Sequence, residues 1–165
     1  MSKKFKMTIC EKPKTFLEMK IERKVDGTKL SQSVYANKAL EKFHMKEANA
    51  VKIPTMSNNI SNENEEEEFS YPFSEAVGST LYLTNRTRPD LSYAINFNNR
   101  NMEKPRRVDI VNIKRCFRYL KGTVNSGIKY YVSDNDTMIL NAYSDSEYKW
   151  VYCAILWWTN CVVFT

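Results

Sequence analysis

The stretch "SNNISNENEEEEFS", residues 57–70, constrains this chain more than any other feature. It holds almost nothing that can be buried, so a core has to be assembled from what lies on either side of it. Charge changes sign at its borders. Residues 1–56 carry 13 basic against 6 acidic side chains, whereas 57–75 carry six acidic and no basic ones. Residues 76–131 carry 11 basic against 3 acidic, and 132–165 one against four. Two basic blocks are thus joined by a solvated acidic spacer, and the net charge of +6 suits a polyanionic partner. With 42% hydrophobic and 13% aromatic residues, the blocks have enough apolar material for a globular fold.

Several chemistries are disfavoured at once. Cys10, Cys116, Cys153 and Cys161 show no C-x-x-C pairing, and His44 is the single histidine, which argues against a zinc site. "MSKKFKM" leads into no apolar run of signal-peptide length, so an intracellular setting with reduced thiols is expected. The apolar tail "WVYCAILWWTNCVVFT" has sixteen residues against the roughly 20 that span a bilayer. No transmembrane span is expected. Self-association through residues 150–165 is, because Trp150, Ile155, Leu156, Trp157 and Trp158 have few partners within so short a piece.

Local patterns give an α+β order. "TFLEMKIERKVDGTKLSQS" reads as a β-hairpin turning at Asp26-Gly27, where positive φ angles are expected. "SVYANKALEKF" places Tyr35, Ala39, Leu40 and Phe43 on one helical face behind a Ser33 cap. Beyond the spacer, Val77, Leu81 and Tyr82 have helical spacing, with Gly78 read as a point of close packing. Thr87 and Asp90 have the spacing of a capping box with Pro89 in the first turn, so Arg-Pro-Asp is read as a helix start.

"RRVDIVNIKRCFRYLKG" carries the strongest periodicity. Ile110, Ile113, Phe117 and Leu120 form an apolar stripe, and Arg107, Lys114, Arg118 and Lys121 lie on a neighbouring face as candidate phosphate contacts. A solvated helix face is the plainer reading of those four charges. Gly122 fits a C′ stop. "GIKYYV" and "TMILNAYS" then read as a second hairpin, from which "AYSDSEY" projects Asp145 and Glu147 on one face of a strand.

Five words in order, "KPKTFLEMKIER", "KLSQSVYANKALEKFHM", "SEAVGSTLYLTNRTRPDLSYAINF", "CFRYLKGT" and "AYSDSEY", resemble Pol polyproteins of copia-type retrotransposons across about residues 5–148. The resemblance implies the C-terminal part of a reverse transcriptase palm and thumb over 1–56, an acidic linker at 57–72, a three-helix connection at 73–126, and a truncated start of an RNase H-like sheet with a degenerate apolar tail at 127–165. It also implies that Asp145 is the first RNase H metal-binding aspartate, with Glu147 beside it, and that the parent family uses Mg2+.

Three departures matter. The family's Tyr-Val-Asp-Asp motif does not occur in these residues, and Asp109-Ile110 stand where the family commonly has His-Trp. After Tyr148 the sequence leaves the family pattern, as a truncated or degenerate copy would. The expected reading is therefore a Pol fragment of an RNA-directed DNA polymerase and ribonuclease H without catalysis of its own, binding no cofactor tightly and holding metal at Asp145 weakly at most. The alternative is a module binding an RNA–DNA hybrid or duplex without sequence preference. A working RNase H is the third reading. It is motivated by Asp145 alone, whereas the reaction needs two metal ions clamped between several carboxylates.

Overall fold

A computed structural model of the chain describes residues 12–55 and 71–131, together with the backbone of 162–164. Three short strands open it: β1 (Thr15–Phe16), β2 (Met19–Lys24) and β3 (Gly27–Ser31). They form a meander of two tight turns where a single hairpin is expected. The first turn is Leu17-Glu18, with φ of 47° and 60°, between the paired residues Phe16 and Met19. Positive φ at both central positions matches strand twist but is costly for residues with a Cβ. Neighbouring elements hold it in place. Tyr82 Oη donates to Leu17 O at 2.7 Å, and the Lys38 ammonium lies 3.4 Å from the Glu18 carboxylate. The second turn is centred on Val25-Asp26, one residue earlier than expected, and of Asp26 and Gly27 only Gly27 has positive φ, at 150°.

β4 (Gly127–Tyr131) pairs antiparallel with β3, from Gly27 opposite Tyr131 to Ser31 opposite Gly127. β5 (Val162–Phe164) pairs with β4, completing a sheet in the order β1-β2-β3-β4-β5. This corrects the expectation that residues 127–165 start a sheet of their own. β3 has backbone donors and acceptors along both edges; β2 satisfies one edge, and β4 arrives to satisfy the other. The partner arm expected at "TMILNAYS" lies outside the described residues, as do the acidic residues of the spacer and, apart from the backbone of 162–164, the apolar tail.

Among the described residues, four helices supply the core: α1 (Ser33–Lys42), α2 (Phe73–Thr84), α3 (Ser92–Asn99), entered through a 3-10 turn at Pro89–Leu91, and α4 (Arg107–Gly122). The expected α4 stripe is confirmed, with Ile110, Ile113, Phe117 and Leu120 all buried. Ala36, Ala39, Leu40 and Phe43 of α1 and its end join the same core, and the Phe43 and Phe117 rings sit 5.0 Å apart. α1 therefore belongs to the helical cluster on the far side of the spacer.

The helix ends differ from expectation in physical detail. Gln32, not Ser33, precedes α1, and no side chain caps it. Thr87 and Asp90 make no capping box. Thr87 Oγ1 donates to Gln32 Oε1 at 2.9 Å, and Asp90 pairs with Arg88. Pro89 does sit in the first turn, where its missing N–H is harmless. Gly122 is the last helical residue, with Thr123 as the cap.

Two glycines give a paired prediction. A Cβ on Gly127 would meet Leu30 O at 2.2 Å, a backbone atom that cannot swing away, whereas one on Gly78 meets nothing within 4 Å, contrary to the close packing expected there. Gly127→Ala should cost about 1–3 kcal/mol by overpacking the β3–β4 ladder. Gly78→Ala should stabilise α2 by about 0.5–1 kcal/mol through reduced chain entropy. Urea midpoints of the two variants moving in opposite directions check both.

Candidate nucleic-acid interface

The four basic residues expected on one face of α4 turn out to have different employment. Arg118 Nε donates to Asn49 O at 2.7 Å, and the Lys114 ammonium lies 4.9 Å from the centroid of the Tyr71 ring. Arg115, which the periodicity did not select, donates from Nε to Ile53 O at 3.1 Å. Cys116 Sγ, on the same helix, donates to Pro54 O of that segment at 3.6 Å. α4 thus uses its cations to hold residues 49–54 and Tyr71, the two segments that flank the spacer. Arg107 is exposed and Lys121 half-buried. Burial pushes the Tyr71 hydroxyl and the Cys116 thiol up to about 12 each, so Cys116 packs as an inert apolar group.

The N-terminus of α4 is built around a buried carboxylate. Asp109 is fully buried, and its Oδ2 accepts from the Arg106 backbone N–H at 2.9 Å, the N3 half of a capping box. Its Oδ1 accepts from Asn101 Nδ2 at 3.1 Å. Asp109 therefore organises the helix start and offers nothing to a ligand.

A second buried charge ties the helices to the sheet. Arg88, 2% exposed, donates from Nε and Nη2 to the two Asp90 oxygens at 3.0 and 2.8 Å. Nη1 donates to Thr123 O at 3.0 Å and Nη2 to Thr123 Oγ1 at 2.5 Å, four residues before β4 begins. The Tyr119 ring lies 5.7 Å away. Arg-Pro-Asp is thus the anchor between the 3-10 turn and the end of α4. Sequence spacing gave no sign of it, because Thr123 is 35 residues away.

Further cations collect on the sheet. Lys24, Lys29 and Lys129 surround a cleft of about 210 Å³ that is also lined by Gly27 and Tyr131. None of the three belongs to the expected set. Asp145 and Glu147 lie outside the described residues, and among the described residues no three His, Cys, Asp or Glu side chains are grouped to hold a metal ion. No described helix is long and apolar enough to cross a membrane.

Comparison with known proteins finds homologues among transposon Pol polyproteins. The chain is 33% identical over 157 residues, 89% of its length, to a retrovirus-related Pol polyprotein from transposon TNT 1-94 of Nicotiana tabacum. It is 32% identical over 150 residues, 90% of its length, to the corresponding polyprotein from transposon RE1 of Arabidopsis thaliana. The chain is homologous to transposon Pol polyproteins. It is also 32% identical over 145 residues, 84% of its length, to an uncharacterized mitochondrial protein of Arabidopsis thaliana. This Pol-related chain spans 12% and 10% of the two polyproteins and 56% of the mitochondrial protein. No protein-family model matches it, and no solved structure does.

Proposed function

We propose that the chain is the stretch of a copia-type Pol polyprotein running from the end of the reverse transcriptase palm, through thumb and connection, into the first strands of RNase H. Its part in RNA-directed DNA synthesis is to hold nucleic acid and neighbouring parts of Pol, with the chemistry done by carboxylates outside these residues. The observation that carries this reading is similarity to transposon Pol polyproteins along 89–90% of the chain, in residues that contain no Tyr-Val-Asp-Asp.

Magnesium, the metal of the parent family, fits these residues poorly. Asp145 and Glu147, two apart in sequence, supply two carboxylates where in-line displacement uses two ions roughly 4 Å apart held by several. When bound between full sets of ligands, such ions activate the attacking oxygen and stabilise the leaving one. Two carboxylates alone hold a hydrated magnesium ion loosely, since it keeps most of its waters. The 165 residues should therefore neither extend a primer nor cleave the RNA strand of a hybrid in magnesium or manganese. Template-dependent extension that survives purification, or metal-dependent cleavage abolished by Asp145→Asn, would overturn this.

A second reading is favoured by the lysines on the sheet: binding to an RNA–DNA hybrid or duplex through phosphate contacts, without sequence preference. Arg107, Lys114, Arg118 and Lys121 of α4 belong to the same reading, with Lys114 also lying against Tyr71 and Arg118 also donating to Asn49. Self-association through residues 150–165 completes the proposed set of partners.

A further inference from the structure

Residues directly opposite one another in a sheet share a face, so the strand register fixes which side chains meet. Lys24, Gly27 and Tyr131 form one cross-strand row. Glu22, Lys29 and Lys129 form the next row on that face. Gly27 has no side chain, and a Cβ there would meet Tyr130 O at 2.0 Å, so the middle of the first row stays empty. The opening is walled by Lys24 on one side, Tyr131 on the other, and Lys29 and Lys129 from the adjoining row.

The charges in this opening are not balanced. Lys29 and Lys129 stand directly opposite each other, an arrangement that destabilises a strand pair unless something negative lies between or beside them. Lys129 is met by Asp26, with Nζ 2.6 Å from Oδ2, and its ammonium also lies 4.3 Å from the centroid of the Tyr131 ring. Glu22 opposes Lys29 across β2 and β3 but makes its ion pair with Lys20, at 2.6 Å. Among the described residues, no carboxylate lies within ion-pair distance of Lys24 or Lys29, and Glu22 and Asp26, whose direct partners are Lys20 and Lys129, act on these two lysines only at longer range. At about 210 Å³ the cleft is smaller than the roughly 300–1,000 Å³ that encloses a small-molecule ligand, and it opens on the sheet surface. Such a site takes a charged group that stands on a larger body.

We propose that this cleft is a binding site for the phosphate backbone of a nucleic acid, with Lys24 and Lys29 as its contacts and Asp26 as a competing anion that occupies Lys129. The proposal rests on the nucleic-acid reading above and deepens it by assigning the contacts and the competing anion.

The test uses the full 165-residue chain and a fluorescently labelled RNA–DNA hybrid, with anisotropy titrations across a salt series. The double variant K24Q/K29Q should bind about tenfold more weakly in low salt, and its log–log salt slope should be shallower by about 2, because each lost phosphate contact removes about 0.9. Asp26→Asn should do the reverse. It frees Lys129, so affinity should rise about threefold and the slope steepen by about 1. A gain of binding cannot come from misfolding, which keeps the test decisive if K24Q/K29Q is unstable. A wild-type chain that binds the hybrid while Asp26→Asn and a folded K24Q/K29Q match it in affinity and slope would overturn the cleft and leave the nucleic-acid reading standing. A wild-type chain that fails to bind at all would overturn both.

Discussion

Asp90→Ala should destabilise the chain by about 3–5 kcal/mol, because it strips the carboxylate from a guanidinium that is 2% exposed. Removing one partner of a buried pair leaves the other charge where water cannot reach it, and that desolvation exceeds the Coulomb energy lost from an exposed pair. Arg88 cannot easily swing out to solvent, since Nη1 and Nη2 are also hydrogen-bonded to Thr123. Adding Arg88→Met to Asp90→Ala should recover more than half of the loss, because no buried charge then remains and the thioether fills part of the space. Urea unfolding of both single variants and the double variant makes the cycle. If the double variant is as unstable as the sum of the singles, the cost lies in packing and not in the buried charge that has lost its carboxylate. The loss should also be felt in the sheet, since Thr123 anchors the segment that leads into β4.

What the sequence revealed and what it hid divide along the range of the interactions. The apolar stripe of α4 and the helical face of α1 are local periodicities, and Ile113, Phe117, Leu120, Ala39 and Leu40 are buried as their spacing demands. Strand-forming runs were legible at 15–31 and 127–131 for the same reason. Their pairing was not. Alternation says that a segment is a strand without saying which edge it will join, and the partners Asp26 and Lys129 are 103 positions apart.

The surroundings of the candidate site were hidden on the same ground. Charges spaced along α4 look solvent-facing until residues 49–54 return across them and claim Arg115 and Arg118. Lys24, Lys29 and Lys129 are unremarkable singly and become a cluster only through the β3–β4 register. Buried Arg88 was hidden by its own motif. Arg-Pro-Asp satisfies local rules for a helix start, and the contact that buries it comes from Thr123.

Phe117→Ala should cost a further class of stability, about 3–5 kcal/mol, from lost transfer energy and the cavity left behind. The ring has no exposure and lies 5.0 Å from the Phe43 ring, tilted against it by 35°, just past the end of α1. Val111→Ala on the same helix is the control. Val111 is 40% exposed, and its loss should stay within about 0.5 kcal/mol. The larger loss is a sizeable part of the 5–15 kcal/mol that ordinarily separates folded from unfolded domains. It should also be shared across the spacer. α1 precedes the acidic stretch and α4 follows it, yet Phe43 and Phe117 belong to one core, so native-state hydrogen exchange in Phe117→Ala should accelerate in both helices together. Exchange that accelerates in α4 while α1 keeps its protection would mean that the two basic blocks fold separately and only rest against each other.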